Sequence, residues 1–202
     1  MRLFSFRFAL CFALLSTPVS SGQFPAAVDS SALPIAQKIS VPGIPNAGKV
    51  SDSLFRGAQP HLSHLSELKT LGITTIVDLR SESRQTRDQE RKLAESLDIH
   101  FVSIPVDGFS TPSSAQLAEF FALLRQTPAQ KIFVHCEFGE DRTGTFIAAY
   151  RIAFDHWSPD QALSEMLAFG FNRSWHQSMV TFVRTLPDRL HSDPTLRTSL
   201  GD

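Results

Sequence analysis

The run His135-Cys136-Glu137-Phe138-Gly139-Glu140-Asp141-Arg142-Thr143-Gly144 sets a cysteine six positions ahead of an arginine, with glycine between them and threonine directly after. Thiol and guanidinium are complementary tools. A thiolate is a strong nucleophile, and a planar guanidinium holds two oxygens of one phosphate. Upstream, Lys131-Ile132-Phe133-Val134 is a short apolar run with strand character; downstream, Thr145 to Phe154 is apolar almost all round, as a buried helix is. Strand, glycine-bearing loop and helix N-terminus form an anion cradle, because the first N–H groups of a helix are free and its dipole is positive there. On this reading Cys136 attacks phosphorus and Arg142 grips two oxygens. The N–H groups of Glu137, Phe138, Gly139, Glu140, Asp141 and Arg142 take the equatorial oxygens. Thr143 is placed to stabilise the departing sulfur, and His135 fixes the loop through hydrogen bonds. Gly139 permits a turn that side chains resist.

Such a loop belongs at the carboxyl end of a strand in an α/β sheet, and the flanking sequence supplies that setting. Leu54 to Gly57 reads as a strand and turn, His64 to Leu71 as a helix stopped by Gly72, and Ile73 to Leu79 as a buried β-branched strand. Arg84 to Leu97 reads as a solvated helix, Ile99 to Val106 as a strand, and Asp107 to Thr111 as a loop. Pro112 to Arg125 is predicted helical, with its proline at the start and Leu117, Phe120, Phe121 and Leu124 on one face. Lys131 to His135 is the strand before the loop, and Thr143 to Phe154 the helix after it. Ser158-Pro159 opens a further helix, with Gln161 completing a capping box. Ser174 to Leu186 is the last helix expected. Alternating strands and helices predict one α/β domain: a mainly parallel central sheet flanked by helices, with a strand–loop–helix phosphate cradle.

The ends have a different texture. Arg2 and Arg7, the apolar run Phe8 to Leu15, and small polar residues from Ser16 to Gly22 read as a signal peptide over residues 1–21, cleaved after Ser21. Export to a periplasm or the exterior follows from that reading. An uncleaved membrane anchor is the alternative, although the apolar run is short for a bilayer span. Cleavage removes Cys11 and leaves Cys136 without a disulfide partner. Residues 22–50, rich in Ser, Pro, Ala and Gly, read as a linker; the domain is expected over 51–187 and a polar tail over 188–202. In 202 residues a net charge of −1 gives no bulk basic field for nucleic acid. The expected partner is a phosphorylated protein or small phosphate ester.

The loop motif resembles the signature of the cysteine-dependent protein tyrosine and dual-specificity phosphatases. Leu54-Phe55-Arg56-Gly57-Ala58-Gln59-Pro60 and Thr75-Ile76-Val77-Asp78-Leu79-Arg80 also resemble segments of their small bacterial and atypical members. The likeness spans about residues 50–185. It implies a two-step reaction through phosphocysteine, without metal or cofactor.

That chemistry needs a general acid for the leaving oxygen. Asp107, past a strand end and followed by Gly108, lies in the region where the family carries its acid; Asp141, inside the loop, is the alternative. Glu137, Glu140 and Asp141 make the loop acidic, which opposes polyanionic inositol phosphates and favours singly phosphorylated ligands such as phosphotyrosine, with phosphoserine and phosphothreonine as open alternatives. An inositol phosphate or phosphoinositide phosphatase, a rhodanese-like sulfur transferase and a catalytically silent phosphoprotein-binding domain are the competing readings. Asp78 with Arg80 reads as a structural ion pair near the site, and Arg56 as similar. His61 and His64 lack a matching cluster for metal. His156, His176 and His191 are expected on the surface, Trp157 and Trp175 in packing, and Asn172 and Arg173 within possible reach of substrate.

Overall fold

In the computed structural model, the structure describes residues 34–126 and 130–201. The signal segment therefore lies outside the described residues. Among the described residues six strands form one sheet: β1 (Gln37–Lys38), β2 (Gly48–Lys49), β3 (Leu54–Gly57), β4 (Thr75–Arg80), β5 (His100–Val106) and β6 (Ile132–His135), in spatial order β1-β2-β3-β6-β4-β5. The four strands β3, β6, β4 and β5 are parallel, and β1 and β2 add an antiparallel edge. The central strands β3, β4 and β6 are buried along their whole length, which accounts for their apolar content and obliges the charged residues they carry, Arg56, Asp78 and Arg80, to find partners inside the protein.

The described residues also form seven α-helices around the sheet: α1 (Ser66–Thr70), α2 (Arg84–Ser96), α3 (Ser114–Gln126), α4 (Asp141–Ala153), α5 (Pro159–Ala168), α6 (Gln177–Ser192) and α7 (Pro194–Leu200). Leu65, Leu68 and Ala94 seal one face of the sheet with α1 and α2, and the larger core lies under α3 to α7 on the other. There α4 is buried along nearly its whole length, because α3, α5 and α6 surround it. Phe120 meets Phe146 edge to face at 5.3 Å, both fully buried, each such ring contributing about 2 kcal/mol or more through burial.

Register decides where the chemistry collects. Gly57 and Asp78 both pair with His135, and Arg80 pairs with Val106. The parallel strands thus end level, and the loops after β3, β4, β5 and β6 open on one edge.

Two boundaries differ from expectation. Residues 34–50 are no linker: they hold β1, β2, the Val41–Ile44 bridge and the buried Ala36, Ile44 and Ala47. Residues 188–201 are not a loose polar tail. Helix α6 continues through Pro187 to Ser192, and α7 follows with buried Leu196 against α3.

Candidate active site

Helix α4 starts at Asp141, five residues after Cys136, and the backbone between them has its polar groups sorted. The carbonyls face outward to fixed donors. Gln59 N–H donates to Glu137 O (3.1 Å), Arg56 Nη2 to Gly139 O (2.8 Å), and Asn46 Nδ2 to both Gly139 O (3.2 Å) and Phe138 O (3.4 Å). His135 Nδ1 lies 3.2 Å from Cys136 O. None of the N–H groups from Glu137 to Arg142 donates to a protein acceptor among the described residues. Six amides free at a helix N-terminus are an anion site by construction. Gly139 adopts φ +71°, and a Cβ there would stand 2.4 Å from the Gly57 carbonyl carbon, so no other residue fits.

Cys136, 3% exposed, lines a cavity of about 440 Å³ together with Glu137, Phe138, Glu140, Asp141 and Arg142. Thr143 is fully buried, its Oγ1 lacking a partner among the described residues.

Arg142 is held by a residue the sequence reading missed. Glu82, just past the end of β4, accepts from Nη1 (2.8 Å) and Nη2 (2.9 Å), and Val106 O accepts from Nη1 (3.3 Å). A guanidinium has five N–H donors. These contacts take three, leaving Nε–H and one Nη2–H, which share an edge suited to two oxygens of an oxyanion. The Arg142 hydrogen bonds hold the Glu82 carboxyl down at a pKa of about 2.

Beneath the loop lies a closed ionic cluster. Asp78, Arg80, Glu90 and His135 are each at most 1% exposed. Arg80 bonds Asp78 through Nε (2.8 Å) and Glu90 through Nη2 (2.6 Å), and His135 Nε2 stands 3.0 Å from Glu90 Oε1. Burial alone pulls the imidazole pKa down, but Glu90 and Asp78 outweigh it and raise it above its ordinary value. The expected Asp78–Arg80 pair is present. Glu90 corrects the reading of α2 as a purely solvated helix.

The two candidate acids occupy different settings. Asp141 lines the cavity with both oxygens engaged: Oδ2 lies 3.3 Å from His176 Nε2, and Oδ1 accepts weakly from Asn172 N–H (3.4 Å). Asp107 is exposed on the loop whose Gly108 and Phe109 line the cavity. Its Oδ1 caps Gly108 N–H (2.9 Å), and its other oxygen has no protein partner among the described residues.

Three assignments need correction. His176 is 6% exposed, stacked on Phe109 with ring centroids 5.2 Å apart, and lines the cavity, so it is not a surface residue. Trp175 is 76% exposed on the cavity rim, whereas Trp157 packs as expected. Arg56 makes no ion pair among the described residues; it bonds the loop instead. Asn172 lines the cavity, while Arg173 does not. His156 and His191 are exposed.

Residues 44–181 match the model of a family described as DSP-PTPase phosphatase fused to NAD+ Kinase. The chain belongs to this dual-specificity phosphatase family. It is 30% identical over 130 residues to the dual specificity protein phosphatase TpbA of Pseudomonas aeruginosa, covering 62% of this chain and 55% of that protein. It is 28% identical over 124 residues to the human phosphatidylglycerophosphatase and protein-tyrosine phosphatase 1, covering 57% and 60%. The chain thus spans little more than half the length of these curated relatives. The crystal structure of P. aeruginosa TpbA superposes with a TM-score of 0.65 at 24% identity, over 86% of this chain and 99% of that one. The catalytic core of the PP-IP phosphatase SIW14 from S. cerevisiae gives 0.62 at 20% identity, over 78% and 98%. These likenesses match the expected α/β phosphatase fold.

Proposed function

We propose that this protein is an exported phosphomonoesterase that hydrolyses phosphotyrosine through a phosphocysteine intermediate. The observation that carries this reading is the loop's polarity: carbonyls tied to fixed donors, six amides left without a protein acceptor among the described residues, and Cys136 and Arg142 lining the same cavity. The Cys136 thiolate attacks phosphorus and the ester P–O bond breaks. The leaving oxygen takes its proton from Asp107, whose free oxygen and neighbouring Gly108 suit it to swing inward. Asp107 then accepts a proton from water as that water attacks phosphocysteine. The P–S bond breaks, phosphate leaves, and the thiolate returns.

The aryl preference rests on the rim. Phe109, Phe138 and Trp175 are all exposed large side chains bordering this cavity, an unusual concentration of apolar surface at a polar site. TpbA has been crystallised in complex with pTyr. Against a polyanion, Arg142 is the one Lys or Arg among the lining residues, beside Glu137, Glu140 and Asp141. The human phosphatidylglycerophosphatase and the yeast PP-IP phosphatase nonetheless make a lipid phosphate and an inositol phosphate the comparators.

Turnover of an aryl phosphate with chelator present, abolished in Cys136→Ser, is the expected result; persistent turnover in that variant overturns the mechanism. Phosphotyrosine peptides are expected to exceed phosphoserine peptides, phytate and phosphatidylglycerophosphate in kcat/KM. Saturable phosphopeptide binding without hydrolysis would make the domain a binding module. The basic, apolar and small-residue beginning of the chain supports export, with a mature N-terminus at Gly22 expected by mass spectrometry.

A further inference from the structure

Among the described residues four arginines are buried, and three of them have carboxylate partners. Arg80 has Asp78 and Glu90, Arg142 has Glu82, and Arg151 has Glu165 and Asp155. Arg56 has none among the described residues. It is fully buried on β3; Nη2 donates to Gly139 O, Nε and Nη1 have no partner, and its guanidinium lies 4.0 Å over the Phe169 ring. A desolvated cation without a counter-ion is costly, and a structural role would be served by a neutral side chain or by the pairing its three counterparts enjoy. The one unmatched cation is also the one pressed against the phosphate loop.

We propose that Arg56 is a positioning residue of this site: a buried cation that turns the Gly139 carbonyl out of the cradle and, from behind the loop, stabilises negative charge at Cys136 and on a bound oxyanion. The missing counter-ion is then the anion itself: the Cys136 thiolate when it forms, and phosphate in the complex. The role rests on the phosphatase reading for its use in turnover, but not for its effect on the thiol. Burial lowers the Arg56 pKa to about 10, and Arg151 on α4 adds to that; Glu165 on α5 and Cys136 oppose it. The Cys136 thiol also faces Arg142, with Glu137 in the same loop and His135 before it.

The test compares Arg56→Gln, which keeps a donor for Gly139 O without charge, and Arg56→Lys, which keeps charge. Alkylation of Cys136 by iodoacetamide is followed across pH in the full chain by peptide mass spectrometry, which separates it from Cys11. Binding of inorganic tungstate is measured on the same samples, and circular dichroism checks folding. In Arg56→Gln the alkylation midpoint should rise by about one pH unit and tungstate binding should weaken about tenfold. In Arg56→Lys the midpoint should stay near that of the wild type. Equal midpoints in the wild type and a folded Arg56→Gln overturn the proposal. So does a rise in Arg56→Lys as large as in Arg56→Gln. Should Arg56→Gln unfold, Arg56→Lys decides alone, a held midpoint supporting the charge role and a raised one overturning it. If these shifts appear while wild-type protein turns over no phosphate ester, the role of Arg56 stands and the enzymatic reading falls.

Discussion

Glu82 sets the orientation in which Arg142 meets the cavity. By occupying three donors together with Val106 O, the clamp fixes which edge of the guanidinium faces the cavity. Glu82→Gln should lower kcat/KM for an aryl phosphate about tenfold, mostly through KM, because a misoriented fork loses part of its grip. A carboxylate whose pKa is depressed on folding contributes stability above its ordinary value, near 4.5, and loses it as pH falls towards about 2. Acid unfolding of wild type and Glu82→Gln should therefore diverge above pH 4.5 and converge near pH 2. His135 titrates with the opposite sense. Its folded pKa is raised, so its pairing with Glu90 stabilises the protein below about pH 6.5 and fades as pH rises through the higher value. Breaking this buried cluster in Glu90→Gln should cost about 3 kcal/mol in denaturant unfolding near pH 6, and less at alkaline pH. The sequence announced Cys136, Arg142 and the Asp78–Arg80 pair because motif and spacing mark them. Glu82 and Glu90 sit among many charges at the start of and within α2, and only folding separates these two from their solvated neighbours.

At the scale of elements, long periodic segments were legible and short ones were not. Strands β4 to β6 and helices α2 to α5 lie within a few residues of where apolar patterning and caps put them. β1 and β2 are two residues each, too short to show a period; contacts such as Ile39 N–H to Ala47 O create them. For α7 the signal was present, since Asp193 accepts from Thr195 N–H (2.9 Å) ahead of Pro194. Pro187, one residue past the expected end of the last helix at Leu186, sits instead inside α6, where buried Val183, Leu186 and Leu190 outweigh its missing donor. Misreading residues 34–50 concealed Asn46, whose amide also reaches Phe169 O at 2.9 Å. Asn46→Ala removes the side-chain donor of Phe138 O and Phe169 O and leaves Gly139 O with Arg56 Nη2 alone. It should reduce stability by about 1–2 kcal/mol and weaken tungstate binding, as calorimetry and titration would show. Gly139→Ala, strained by φ and by backbone overlap, should abolish oxyanion binding while the sheet still folds.

Across the whole molecule, level strand ends turn four separate loops into one mouth. Cys136 follows β6, Glu82 follows β4, and Asp107 and Phe109 follow β5. The loop after β3 steadies the back of the cradle through Gln59. The α5–α6 connection completes the rim with Asn172, Trp175 and His176. Replacing Trp175 or Phe109 with alanine should reduce kcat/KM several-fold for aryl phosphates but little for small alkyl phosphates, because only an aryl group reaches the rim. Equal losses on both substrates would assign these residues to loop support instead. The stretch from Pro34 to Val50 laces the outer side of the cradle, by Asn46 to the loop and by Ala36 N–H to Glu165. Protease trimming therefore has a sharp threshold. Cuts ahead of Pro34 should spare phosphate capture, whereas a single nick between Val41 and Asn46 should silence it while Cys136, Arg142 and Asp107 all remain in one piece.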